Sequence, residues 1–318
     1  MIQCKICQKE FATEGGLHKH LKSHSITMAE YYTTFYPRDS LLYKTPLPFK
    51  NKQDYFSKDF HSYKELLEWC EQESSDIVGE YIIKKLKQRV DSKQLNHAPS
   101  HLELRNAQLP PIDIYRSVFG SYSVACDMAG VKPMFNKAIN KTFFQTDDIP
   151  DDLTIFIDTR EKEPLSFKNS TSMKLDFGDY TTAGDHYSYT YVDRKSEGDF
   201  KSTLSNANFD RFRAELRRTK DFDSYLYIVV ESSVDQIEKN NKYKPYKVNL
   251  KYIFHNMRLL QHEFSGNCQF IFTGSRESSE ALIPKLLYYG KKLWNVDLQY
   301  YIDKYGISSS QKKTTCNL

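Results

Sequence analysis

The sequence predicts an α/β core in the second half of the chain, preceded by a small metal-ligating unit and a run of short helices. Three observations predict it. Beyond Pro150, strand-like apolar runs alternate with amphipathic helical stretches, the pattern of a sheet domain flanked by helices. Near the N-terminus, Cys4, Cys7, His20 and His24 are separated by two, twelve and three residues, the spacing of four ligands around one tetrahedral ion. Between these regions, residues 76–135 carry capping and turn residues at helix-length intervals.

Size and composition bound the answer. At 318 residues there is room for about two domains and a small module. With 39% hydrophobic and 27% charged residues, disorder throughout is excluded. The formal charge of +4 does not itself argue for a nucleic-acid partner. Basic residues do gather locally, at Lys84, Lys85, Lys87 and Arg89, at Arg211, Arg213, Arg217, Arg218 and Lys220, and at Lys239, Lys242, Lys244, Lys247 and Lys251. Cys4 and Cys7 aside, Cys70, Cys126, Cys268 and Cys316 follow no disulfide framework, which fits a reducing compartment. No apolar leader precedes Cys4, and the longest apolar runs, such as Tyr225 to Val230, are strand-sized. The expectation is a soluble, intracellular protein without membrane contact.

Taken in order, residues 1–24 form one compact unit, and residues 25–75 an aromatic-rich connecting segment without an assigned role. From Asp76, the spacing of Ile77, Tyr81, Ile82 and Leu86 predicts an amphipathic helix, and Ser100 with Glu103 reads as a capping box opening another. Pro110 and Pro111 end that helix. A third runs from Ile112 to Val118, Gly120 supplies a turn, Ser121 caps a fourth and Gly130 stops it. Residues 136–150 read as a polar linker. In the domain 151–303, strands are expected at Leu153–Ile157, Tyr187–Val192, Tyr225–Val230 and Gln269–Thr273, and helices at Phe209–Arg218, Tyr252–Phe264 and Ser278–Leu293. Residues 304–318 read as a flexible tail, and no internal repeat is present.

Phe11 and Leu17 supply the apolar plug that a metal-stapled unit of this size needs. With the four ligands, this segment resembles a two-Cys, two-His ββα zinc finger, which implies Zn²⁺. On a helix starting at Glu14, the base-facing positions of such a finger are Thr13, Gly16 and Lys19. Only Lys19 is a good donor to guanine, so the expected role is anchoring, with protein binding as the alternative. In residues 76–135, Pro99-Ser100, Tyr115, Phe119-Gly120-Ser121-Tyr122, Ala125, Ala129-Gly130 and Lys132-Pro133 resemble the small helical module that accompanies homing endonucleases. Tyr122 stands where that family usually has Trp. Gly120, Ala125 and Ala129 let two helices approach closely, leaving Ser121 and Tyr122 at a helix start suited to a major groove.

The chemistry lies in three stretches: Ile157-Asp158-Thr159-Arg160-Glu161, Gly178-Asp179, and Asp193-Arg194-Lys195 with Asp199 beyond. Hydrolysis of a phosphodiester calls for a hard divalent ion held by carboxylates. A hairpin joining the segment before Asp179 to a strand ending at Asp193 would bring both acids to one sheet edge, with Lys195 on the same face. From about 153 to 275 the chain resembles the XPF-type (ERCC4-domain) nucleases, whose signature is Gly-Asp, a spacer, Glu-Arg-Lys, three residues and Asp. Asp193 stands where that signature has Glu. The resemblance implies a restriction-endonuclease-like PD-(D/E)xK core. It implies that Asp158, Asp179 and Asp193 bind Mg²⁺ or Mn²⁺, that Lys195 orients water or phosphate, and that Glu161 supports metal or water. It further implies that Arg160 and Arg194 contact phosphate or brace acids, and that Asp199 pairs with a basic group. Phe209, Phe212 and Leu216 line a core face of a helix whose Arg211 and Arg217 can meet DNA phosphates.

These readings converge on a metal-dependent DNA endonuclease, site-directed or homing-type on double-stranded DNA. The alternatives are a branched-DNA repair nuclease and a non-catalytic DNA-binding protein. No Gly-containing helical hairpins of the kind that grip branched DNA appear in residues 276–318. One finger beside a homing-associated module resembles phage-encoded proteins, implying a cytoplasmic location in a phage or bacterial host and a nuclear one in a eukaryote. Leu282, Ile283, Leu286, Leu287, Leu293 and Trp294 offer either a homodimer surface or a seal for the domain's own core.

Overall fold

Two β-strands of two residues each, β1 (Ile2–Gln3) and β2 (Glu10–Phe11), pair antiparallel with Ile2 opposite Phe11. Such a pair is too short to stand alone. It is held by α1 (Glu14–Leu21), which begins where Thr13 Oγ1 accepts the Gly16 amide at 3.2 Å and which buries Leu17 and Leu21. The computed structural model describes residues 1–146, 148–243, 245 and 247–307. Its described chain divides into a unit of residues 1–82 and a second from residue 83 onward.

In the first unit the small ββα fold does not end at residue 24. A capping box between Thr27 and Glu30 opens α2 (Met28–Phe35), which turns Tyr31 and Tyr32 inward. Those rings, Leu47 and Tyr55 of α3 (Lys52–Ser57) form one apolar cluster with Cys4, Leu17 and Leu21. Tyr31 Oη accepts the Lys5 amide at 2.9 Å, and the Tyr32 hydroxyl meets His18 Nε2 at 3.0 Å. The expected boundary at residue 24 is thereby corrected: the finger core is completed by downstream aromatics that spacing alone does not reveal. Further on, α4 (Tyr63–Gln72) brings Trp69 against Phe60 and Tyr81, the last from α5 (Ser75–Lys93), the helix in which the two units divide.

The second unit is built on a six-stranded sheet in the order β4-β3-β5-β6-β7-β8. These strands are β3 (Ile155–Asp158), β4 (Ser170–Met173), β5 (Tyr180–Thr182), β6 (Thr190–Lys195), β7 (Tyr225–Val230) and β8 (Cys268–Phe272). β5 runs antiparallel to β3 and β6, whereas β3–β4, β6–β7 and β7–β8 are parallel pairs. β7 is buried along its whole length, which is why its sequence is an unbroken apolar run. On one face Leu226, Ile228, Val230, Phe270 and Phe272 pack with Phe200 of α9 (Glu197–Thr203), Phe212 and Leu216 of α10 (Asn206–Asp221), Ile237 of α11 (Val234–Tyr243) and Met257 of α12 (Leu250–Glu263). The other face is covered by α13 (Arg276–Tyr289) and α14 (Leu298–Tyr305), where Tyr225 stacks on Trp294 at 5.1 Å and Gln269 donates to Val296 O.

The N-terminal helices of this unit are α6 (His101–Asn106), α7 (Ile112–Phe119) and α8 (Tyr122–Met128). Gly120, at φ +80°, makes the α7–α8 turn, and Ser121 Oγ caps α8 by accepting the Val124 amide at 3.1 Å. These helices are packed into the α/β unit, not tethered beside it. Leu102 enters the sheet core, and Tyr300 of α14 donates to Asp113 while accepting from Arg116. The expected linker 136–150 is likewise packed: Phe144 is buried, and the Lys285 ammonium is satisfied by the Phe143 and Thr146 carbonyls. A buried lysine needs those acceptors.

Several expected elements differ. The Ser100–Glu103 capping box does not form, because Glu103 turns away to His262 and the Ser100 hydroxyl has no partner among the described residues. α14 reaches Tyr305, so the expected tail at 304–318 overlaps a helix, and its remainder from 308 lies outside the described residues. Leu282, Ile283, Leu286, Leu287 and Leu293 are all fully buried within their own unit. They seal its core, and Trp294 is half-buried, stacked on Tyr225. No described helix is long and apolar enough to cross a membrane.

Candidate active site and metal centre

Asp179 and Asp193 are brought together by the β5–β6 hairpin. Tyr180 pairs with Val192, and the Asp179 amide donates to Val192 O at 2.7 Å. The hairpin strand follows Asp179 instead of preceding it, and β6 runs on to Lys195. Gly178 makes the approach feasible: it has φ +57°, and a Cβ there would come within 2.6 Å of Val192 O. One residue on, Asp179 Oδ2 accepts the Arg194 amide at 2.7 Å. Burial and then the Asp193 charge push the Asp179 carboxyl upward, the effect expected of two acids sharing a low-dielectric site.

Lys195 follows Asp193 by two residues on the same strand, and its Nζ lies 2.8 Å from Asp193 Oδ2 and 5.1 Å from the centre of the Phe212 ring. Burial lowers its tendency to hold a proton, but attraction to Asp193, and then to Asp179 and Glu215, outweighs it, and the ammonium is kept. Glu215 had not been expected here. It comes from α10, and burial and then the nearby Asp193 raise its pKa. A signal existed: it lies three residues after Phe212 and directly before Leu216, an acid inside the apolar stripe of the helix.

The remaining acids are held differently. Asp158, at the end of β3, accepts the Arg160 amide and Nε at Oδ1, both at 2.7 Å, and the Arg160 NH2 and Leu175 amide at Oδ2, both at 2.8 Å. The Arg160 side chain and then these amides hold its carboxyl down at about 2. Its oxygens thus tie Arg160, just after β3, to Leu175, just after β4. Glu161 accepts the Glu163 amide at 2.7 Å and Arg194 at 3.1 Å, and Arg194 also reaches Glu231 at 3.0 Å. Arg160 and Arg194 are therefore braces for acids. Asp199, expected to pair with a basic group, instead accepts from Ser196 Oγ at 2.6 Å at the start of α9.

The donor set fits a divalent cation. Asp193 pairs with Lys195, Asp179 and Glu215 act on that lysine electrostatically, and Arg194 is already occupied by Glu161 and Glu231. Among the described residues, however, the one group of three or more His, Cys, Asp or Glu side chains already gathered for shared ligation is Cys4, Cys7, His20 and His24, with ligand atoms within 4.8 Å of one another. Cys7 Sγ lies 3.2 Å from His20 Nε2, His20 Nε2 3.1 Å from His24 Nε2, and Cys4 Sγ 3.7 Å from His24 Nε2. A tetrahedron with Zn–S of about 2.3 Å and Zn–N of about 2.0 Å has edges of roughly 3.3–3.7 Å. Ser23 Oγ sits 3.2 Å from His20 Nδ1 and can fix the tautomer that leaves Nε2 free to ligate.

Residues 136–286 match the ERCC4 domain. The match covers the hairpin with Asp179, Asp193 and Lys195, and it begins inside the stretch read from sequence as a linker, in line with the packing of Phe144 and Lys285. Two solved structures resemble the chain: XPF from Aeropyrum pernix in complex with DNA, at 18% identity over 43% of this chain and TM-score 0.33, and XPF from Aeropyrum pernix alone, at 17% over 44% and TM-score 0.33. The alignments span 63% and 67% of those two chains. No curated protein matches.

The residues expected to touch DNA fare unequally. Lys19 is exposed on α1, as are Arg211 and Arg217 on α10, although Arg217 lies 3.6 Å from Glu263. Ser121 Oγ caps its own helix, and Tyr122 donates to Pro99 O at 2.7 Å with its ring edge-on to Tyr115.

Proposed function

We propose that this chain is a divalent-metal-dependent DNA endonuclease whose catalytic residues are Asp179, Asp193, Lys195 and Glu215, acting on duplex DNA. The observation that carries the proposal is the approach of half-buried Asp179, just before β5, to Asp193 of β6 beside one lysine. The ERCC4 match over residues 136–286 supports it. Asp179, Asp193 and Glu215 would hold Mg²⁺ or Mn²⁺, which when bound polarises a phosphate and lowers the pKa of water. Lys195, kept charged by its acidic neighbours, would hold a hydroxide or a phosphate oxygen. Arg194 neutralises Glu161 and Glu231 at the rim, keeping further negative charge away from an approaching phosphate. Asp158 and Arg160 fix the strand end on which the site is built.

In the first unit, Cys4, Cys7, His20 and His24 are proposed to bind Zn²⁺, with Lys19 as an anchoring contact to DNA. A site-directed or homing-type role remains part of the proposal. Its test is cleavage of linear duplex, flap and junction DNA of matched sequence with Mg²⁺. Cutting of the duplex at defined positions is expected. Cutting confined to flaps or junctions would replace that role with a branched-DNA one, and inertness on all three would overturn the enzyme reading.

A further inference from the structure

Away from the acids, a second charged cluster lies where α5, α6 and α12 meet. Glu103 of α6 is buried at 5% exposure and is the one acid within ion-pair reach of both Arg89 and Arg258 among the described residues. Both contacts are loose. Arg89 NH2 lies 3.6 Å and Arg258 Nε 3.8 Å from Glu103 Oε1, and that oxygen accepts no hydrogen bond. The other oxygen, Oε2, is taken by His262 at 2.6 Å. The Nε atoms of Arg89 and Arg258 are buried and also lack hydrogen-bond partners among the described residues. Arg258 NH2 lies 2.6 Å from His255 Nδ1.

Two guanidiniums thus share one carboxylate that a histidine already occupies. Burial and then the charge of Arg89 hold Arg258 below its ordinary range, and Glu103 offsets this only in part. Lys93 and Arg89 both act on His255, so the positive charge continues to the exposed rim of α5 and α12. A guanidinium does not shed its proton under these conditions. The charge stays in the fold without an equal partner, a costly arrangement unless a ligand supplies the counter-charge. Two arginine forks converging from neighbouring helices match a tetrahedral oxyanion with several acceptor oxygens.

We propose that Arg89 and Arg258, with Lys93 and His255 at the rim, form a phosphate-binding site separate from the carboxylate site. Its occupant is a phosphodiester of bound DNA or a free phosphate group. The DNA arm rests on the nuclease reading; the phosphate arm does not.

Thermal unfolding of the full chain is measured with rising inorganic phosphate against chloride at matched ionic strength, for wild type, Arg258→Gln, Arg258→Lys and Arg105→Gln. Wild type is expected to gain stability with phosphate. Arg258→Gln is expected to lose that gain while unfolding no earlier than wild type in chloride, Arg258→Lys to keep part of it, and the surface control Arg105→Gln to keep all of it. The same proteins are then titrated with duplex DNA without added divalent metal. Affinity about tenfold weaker for Arg258→Gln, with a salt slope shallower by about one, assigns the phosphate to DNA. A phosphate effect with unchanged DNA affinity assigns it to a free phosphate-bearing ligand. An equal response to phosphate in Arg258→Gln and wild type overturns the proposal, whatever the fate of the nuclease reading.

Discussion

The two candidate metal centres are built in opposite ways. In the first unit, four ligands within twenty-one residues meet with their atoms within 4.8 Å of one another. In the second, Asp179 just before β5, Asp193 of β6 and Glu215 of α10 act on one another and on one lysine electrostatically. The first kind of site depends on local turns and one short helix. The second depends on which strands pair and which helix face meets them, so it is a product of the whole domain. The comparison teaches that ligand spacing along the chain is informative only while the chain between ligands is short.

The largest effect should come from breaking the first centre. Chelation, or Cys7→Ser, removes a contribution on the order of 10 kcal/mol in such units. Because Cys4, Leu17 and Leu21 share their cluster with Tyr31, Tyr32, Leu47 and Tyr55, loss should extend to α2 and α3. Hydrogen exchange should show amides through about residue 57 losing protection together. If protection were lost only up to residue 24, the shared core would be refuted.

At the second centre, Lys195→Met should slow cleavage by about 100-fold or more while DNA binding persists, since it removes a charge aimed at the reacting phosphate. Single-turnover rates beside binding isotherms measure both. Asp158→Asn should act on stability instead. It breaks a buried, hydrogen-bonded carboxylate and should cost about 3 kcal/mol. The sign with pH follows from its depressed pKa: the contribution is full above the unfolded value of about 3.9 and fades as pH falls through about 2. Denaturant titrations from pH 7 down to pH 2 should therefore show wild type and the variant converging only at the acid end. Glu215→Gln keeps the shape of the helix face and removes one of three acids. About tenfold slower cleavage, with a higher metal concentration needed for half-maximal rate, is expected; an unchanged metal requirement would remove Glu215 from the ligand set.

A protein trimmed to begin at residue 145 offers a further comparison of the two designs. It loses Leu102 from the sheet core and Asp113 and Arg116 from Tyr300. It should lack a cooperative unfolding transition, in contrast to a detachable module.

The elements that were legible in the sequence had one of two signals: an unbroken apolar run, as in Tyr225–Val230, or a turn residue at a helix end, as at Gly120 and Ser121. The Asp179–Asp193–Lys195 grouping was legible because strand alternation puts residues 193 and 195 on one face. What escaped were the features settled by long-range packing. Nothing in the sequence around Asp158 foretells that Arg160 and Leu175 will both donate to its oxygens. Glu215 was hidden in a helix read as plain core. The polar stretch before Pro150 looked like a linker because nothing in it foretells that Lys285 will need the Phe143 and Thr146 carbonyls.

The central claim, that the hairpin acids form a metal-dependent cleavage site, is tested most directly by Asp179→Asn. The substitution keeps the side-chain shape and removes one carboxylate charge. Mg²⁺-dependent cleavage of duplex DNA should fall at least about 100-fold, with thermal stability equal to or above that of wild type, because a half-buried acid under repulsion is replaced by a neutral amide. Wild-type cleavage by Asp179→Asn under the same metal and DNA conditions would contradict the account.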